Sequence, residues 1–211
     1  MSMTAVRADR YASDGDQRPS VERIRDAALK CFAARGTSAT SLRAVAAEAG
    51  VSLGLVQHHF DTKANLIKAV DDHVLGVMNA ALTQHIPEPP ADTITDVGDR
   101  VTALVAAEPD VVAYAVHALI NGSPLGRQVF DSLAAIGAER WKARQELGLT
   151  RPGLDPIWGA LNPLILGLGT WILRDHIERH LPEAFDSPAQ LQRWEDAVNA
   201  LLRNGQMRDQ S

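Results

Sequence analysis

Thr40-Ser-Leu-Arg-Ala-Val-Ala-Ala-Glu-Ala-Gly50-Val-Ser-Leu-Gly-Leu-Val-Gln-His-His-Phe60 is the stretch on which the reading of this chain turns. It divides into two short helices, Leu42–Ala49 and Leu53–Phe60, each preceded by a serine suited to an N-cap, Ser41 and Ser52. Between them Gly50 accepts a positive φ without a Cβ clash. Ala46 is small where the two helices must approach, and Val45, Val51 and Val56 supply a shared apolar core. Two short helices on a tight turn follow the helix-turn-helix plan. A free N-terminal end on the second helix, with its amides and positive dipole end, can approach phosphate.

Working outward on the N-terminal side, Val21, Ile24, Ala28, Cys31 and Phe32 recur at three- and four-residue steps and predict a helix with one apolar face, capped by Ser20 and stopped at Gly36. Residues 1–19 are polar and read as a flexible tail. On the other side, Asp61 or Thr62 caps a longer helix through Leu66, Ile67, Val70, Val74, Val77, Met78 and Ala81, broken by Pro87-Glu-Pro-Pro90. Further helices are predicted over about 93–107, 110–121, 125–147, 156–180 and 188–204, separated by proline and glycine breakers. Period-two strand patterns are absent, so the fold class is all-α.

Composition bounds the function. The 211 residues are 45% apolar and 22% charged, an ordinary globular balance. No uninterrupted apolar run suits a membrane span, and the first residues lack the apolar core of a secretory signal. The single cysteine, Cys31, excludes an intramolecular disulfide and a Cys-rich zinc site. These features predict a cytoplasmic protein with no membrane partner. Residues 1–68 carry ten Lys/Arg against seven Asp/Glu, a net +3, whereas residues 69–211 carry eleven against nineteen, a net −8. A basic end on an acidic body fits a polyanionic partner.

From Val21 to Val70 the chain resembles the N-terminal domain of the TetR (tetracycline-repressor-like) family of transcriptional regulators. The resemblance rests on Ala28, Leu29 and Phe32, the Gly36 stop, Thr40-Ser41-Leu42-Arg43-x-Val45-Ala46, Ala49-Gly50-Val51-Ser52, Gly54, His59-Phe60, Lys63 and Leu66. It implies an N-terminal three-helix helix-turn-helix DNA-binding domain over 20–66, after a tail at 1–19, and a larger C-terminal helical ligand-binding and dimerisation domain over 67–208. It implies that Ser52, Leu53, Gly54, Leu55, Gln57 and His58 face the major groove, that Thr40, Ser41 and Arg43 approach phosphates or the groove edge, and that Lys63 contacts phosphate. Gln57 and Arg43 are the best base readers, because Gln pairs bidentately with adenine and Arg with guanine. Gln57 stands where the family often has tyrosine, and Leu53 where a basic or polar residue is usual.

The implied function is a homodimeric, ligand-responsive repressor on a near-palindromic operator, released by a small-molecule effector. The alternatives are a constitutive DNA-binding regulator without an inducer and a helical enzyme reusing the fold. Polar or aromatic groups within apolar segments are the pocket candidates: His117, Asn121, Trp141, Trp158 and Asn162. The segment 156–180 is apolar nearly all round, which predicts burial on every side and a kink at Pro163. It and the last helix resemble the pair that forms the family's dimer bundle, with Trp171, Leu191, Trp194, Val198 and Leu201 as interface candidates.

Catalytic and metal signatures are weak. His58-His59 lacks the downstream spacing of a His-His acyltransferase and sits inside the helix-turn-helix. His176 and His180 lie on one helical face, but Ile177 stands where a zincin needs Glu. The expectation is no catalytic residue, no metal and no cofactor.

Overall fold

A computed structural model describes residues 18–83 and 94–208. Residues 1–17 of the tail expected over 1–19, and the Pro87–Pro90 break, lie outside the described residues. Among the described residues ten helices follow one another: α1 (Ser20–Ala39), α2 (Leu42–Glu48), α3 (Leu53–Phe60), α4 (Lys63–Thr83), α5 (Ile94–Ala107), α6 (Pro109–Ile120), α7 (Pro124–Glu146), α8 (Pro156–Ile172), α9 (Arg174–Glu178) and α10 (Pro188–Gln206). Among the described residues the only extended pairing is an isolated bridge between Thr150 and Met207, so the fold is all-α. None of the described helices is long and apolar enough to cross a membrane.

The helix boundaries follow local chemistry. Ser41, Ser52, Ser123, Asp155 and Ser187 each accept a hydrogen bond from a backbone N–H in the helix they open. Pro109, Pro124, Pro156 and Pro188 occupy first-turn positions, where their missing N–H costs nothing. Gly36 interrupts α1 with φ 77°, as a stop there predicts. Ser20 departs from its expected role: Pro19 takes the cap position, and Ser20 is the first helical residue.

Among the described residues one apolar core joins α1–α4 to α6 and the start of α7. Ile24, Phe32, Val45, Val56, Leu66, Val70, Val74 and Val111 are fully buried in it, joined by Leu125 and Val129 of α7. It is therefore continuous across the boundary expected at 66/67. Two glycines let helices meet at short range. A methyl on Gly126 would overlap the Ala118 carbonyl of α6, and one on Gly159 would overlap the Trp141 ring.

The 156–180 segment departs from expectation twice. It ends at Ile172, and α9 begins after Leu173. Nor is it buried all round, since Ile157, Trp158, Ile165, Ile172 and Leu173 are all at least 42% exposed. Trp158, Asn162, Ile165, Gly169 and Ile172 fall at alternating four- and three-residue steps, so they share one helical face. Among the described residues of the chain, none covers the exposed side chains of that face. A uniformly apolar helix gives no moment by which a sequence can choose its buried side.

Candidate nucleic-acid interface

Helices α2 and α3 sit on the end of α1. Val45 and Ala46 of α2 and Val56 and Phe60 of α3 point into the core. The turn is tight: Val51 N–H donates to Ala46 O at 3.0 Å, and Gly50 takes φ 64°. Arg23 reaches from α1 to donate to Ala49 O at 3.0 Å, satisfying a carbonyl at the end of α2. Lys30 of α1 pairs with Glu48 of α2 at 2.6 Å, and that bond lifts the ammonium and holds the carboxyl below its ordinary value. Ser20 Oγ and His59 Nε2 lie 2.7 Å apart, linking the start of α1 to the end of α3. Arg23, Lys30, Glu48 and the Ser20–His59 contact escaped sequence reasoning, because each joins elements far apart in the chain.

The outward face of α3 is built by helical spacing. Val56 and Phe60 bury one side, so Gly54, Gln57 and His58 are exposed on the other. Arg43 on α2 is exposed, and Lys63 at the start of α4 is half-buried. Ser41 and Ser52 are exposed, each with its hydroxyl accepting the cap bond, from Ala44 N–H at 3.1 Å and Leu55 N–H at 3.2 Å. Leu53 and Leu55 are half-buried and pack partly against the core. A Ser52→Ala variant should lose about 1 kcal/mol of stability, read as a lower midpoint in urea.

Thr40 does not join this surface. It is 2% exposed, and its hydroxyl donates between Gly36 O at 2.9 Å and Cys31 O at 3.2 Å, closing the frayed end of α1. A side chain spent on those carbonyls has no reach toward phosphate. Asp61 is the one described non-glycine residue with positive φ, 57°, where α3 turns into α4. Asp tolerates that region better than most residues. Thr62, not Asp61, caps α4, accepting from Asn65 N–H at 3.2 Å.

The C-terminal candidates scatter. Trp141 is buried, its Nε1–H has no acceptor among the described residues, and its ring lines a mostly apolar groove of about 420 Å³ between α7 and α8 with Lys142, Gln145 and Ile157. His117, Asn121, Trp158 and Asn162 are exposed and do not line that groove. His117 and Asn121 sit at the C-terminal end of α6, where the chain turns to solvent. The interface candidates divide as well. Leu191 is buried within the chain, whereas Leu201 is 59% exposed. Trp171 and Trp194 both stack edge-on against Phe185, and Trp194 Nε1–H donates to Thr170 Oγ1 at 3.1 Å, so they staple α8 to α10. Val198 is half-buried. Among the described residues no group of three or more His, Cys, Asp or Glu gathers as a metal site, and His176 instead contacts Arg179 at 3.0 Å.

Comparison with known proteins fits this geometry. The profile of the family described as "Bacterial regulatory proteins, tetR family" matches residues 24–70, the span from the first core residue of α1 into α4. The HTH-type transcriptional repressor Rv3405c of Mycobacterium tuberculosis is 39% identical over 139 residues, 65% of this chain and 62% of that protein's length, so the match spans under two thirds of that relative. The HTH-type transcriptional regulatory protein RaaS of the same organism is 30% identical over 151 residues, 72% of this chain and 69% of that protein. A transcriptional regulator from Saccharomonospora viridis, solved in complex with choline, superposes with a TM-score of 0.69 over 90% of this chain and 98% of its own; at 16% identity it shows the fold alone. With the capped α2–α3 pair, its buried valines and its outward Gln57–His58 edge all inside the matched span, the chain belongs to the tetR family of bacterial regulatory proteins.

Proposed function

We propose that the chain is a homodimeric repressor that reads a near-palindromic operator through α3 and is released by a small molecule. The observation that carries this is the two-sidedness of α3: Val56 and Phe60 anchor it, while Gln57 and His58 stand clear of the protein. Gln57 reads a base edge, with Gly54 allowing close approach. Arg43 reads a guanine edge from α2, Ser52 and His58 face the groove, Ser41 and Lys63 meet phosphates, and Leu53 and Leu55 offer their exposed edges to thymine methyls. The dimer uses the uncovered face of α8 together with Leu201 on α10, so that two copies of α3 enter successive major grooves about 34 Å apart. The division of labour is a DNA-binding part over 20–66 and a sensing and dimerising part over 67–208.

The groove beside Trp141 supports an effector site, since its lining is mostly apolar with the polar side chains of Lys142 and Gln145 beside it. A related fold captured with choline is consistent with small-molecule capture. The surface positions of His117, Asn121, Trp158 and Asn162 favour the constitutive alternative. A thermal-shift panel of small molecules separates the two, because a ligand of the folded state raises the melting temperature.

The operator reading is tested with a duplex enriched from a random pool by the wild-type protein. Gln57→Ala should weaken binding to that duplex and leave random DNA unaffected. Lys63→Ala should weaken both alike and reduce the salt slope by about two, one phosphate per protomer. Equal losses on both duplexes for Gln57→Ala would remove Gln57 from base reading.

A further inference from the structure

We propose that Tyr114 is a positioning residue for DNA binding, acting through its hydrogen bond to Asp71 to set the angle of α4 and hence of α3. The proposal rests on the operator reading above. Tyr114 lies in α6 and is 5% exposed. Its hydroxyl donates to Asp71 Oδ1 of α4 at 2.7 Å, across 43 positions of sequence. Its ring packs on Phe32 of α1, centroids 6.1 Å apart. One side chain therefore touches the helix that carries the reading pair, the helix that links the two halves, and the C-terminal body.

The bond is the directional part of that joint. Leu66, Val70 and Val74 bury one face of α4 against the shared core. Apolar contact is non-directional and tolerates sliding and rotation, whereas a hydrogen bond weakens steeply off-axis. Burial, followed by the Asp71 bond, pushes the Tyr114 phenol up, so it stays a protonated donor. Burial raises the Asp71 carboxyl and the Tyr114 bond opposes that rise. Asp71 lies eight residues into α4, about 12 Å from its first residue at 1.5 Å per residue. α3 ends just before α4 begins. A tilt of α4 about Asp71 is thus carried to α3, and in a dimer it alters the spacing of the two copies while leaving each reading face intact.

This separates spacing from contact, and the experiment exploits the difference. Wild type, Tyr114→Phe, Asp71→Ala and Asp71→Asn are titrated by fluorescence anisotropy against the enriched duplex and against a duplex carrying one of its half-sites, with thermal melts alongside. Tyr114→Phe and Asp71→Ala should each lose about fivefold or more on the two-site duplex, and match wild type on the half-site. Asp71→Asn keeps an acceptor and should stay within about twofold of wild type. Wild-type affinity of Tyr114→Phe on the two-site duplex overturns the proposal. So do equal losses on both duplexes, which mark a merely structural role, and an Asp71→Asn as damaged as Asp71→Ala, which marks a charge effect. If Tyr114→Phe does not fold, Asp71→Ala decides by the same criteria. A wild-type protein that enriches no duplex sinks the operator reading itself, a result none of the other outcomes resembles.

Discussion

Lysine at both Ile165 and Ile172 should turn a dimer into a folded monomer and cut operator affinity by about 10²–10⁴-fold. Both isoleucines lie on the uncovered face of α8, 50% and 42% exposed, so a lysine stem can keep the partial packing inside the chain while its ammonium stays in solvent. Across a two-fold axis, however, each lysine would meet apolar surface and its own copy, where an unpaired charge is costly. The penalty on DNA is far larger than that of any single contact, because tethering two reading heads makes the second docking intramolecular, and separation forfeits that effective concentration. Sedimentation and anisotropy on the same samples check it. A monomer with full affinity, or an undisturbed dimer, would place the interface elsewhere.

Gly126→Ala should lower stability by about 3 kcal/mol, and the melting temperature by about 6–12 °C. The added methyl overlaps a backbone carbonyl, Ala118 O, which cannot rotate away as a side chain would, so α6 and α7 must part. The intrinsic helical preference for alanine over glycine, about 1 kcal/mol, offsets only part of this. Gly76→Ala supplies the contrast. Gly76 lies in α4 with nothing near its Cβ position, so the same substitution should stabilise there by about 1 kcal/mol. Thermal melts of the two variants should move in opposite directions. Gly137→Ala, whose Cβ would stand 3.2 Å from Ala160 O, should fall between them.

Local chemistry was legible in the letters. Ser41, Ser52, Gly36 and Gly50 do in the fold what their spacing predicts, since caps and positive-φ turns are decided within a few residues. The exposed edge at Gln57 and His58 follows from helical period alone. The surroundings of other residues needed knowledge of the third dimension. Thr40 sits beside Ser41 in a motif expected to face DNA, yet it turns inward because the end of α1 leaves carbonyls within its reach. His117 and Asn121 stand among apolar letters, but a helix terminus brings them to solvent. Trp171 and Trp194 fit a stripe that any packing partner could use, and Phe185 is the one that takes them. The close approach at Gly126 has no sequence signal beyond the glycine itself.

The unbroken apolar interior has a consequence for chimaeras. Phe32 and Ile24 are sealed in the same interior that holds Val111 and Tyr114, and Leu66 shares it with Val129. A recombinant seam at 66/67 would strip α6 and α7 from this interior and leave the transplanted headpiece with a raw flank. Grafts of DNA specificity onto this scaffold should therefore exchange the α2–α3 surface in place, substituting outward letters and leaving the helices beneath them untouched.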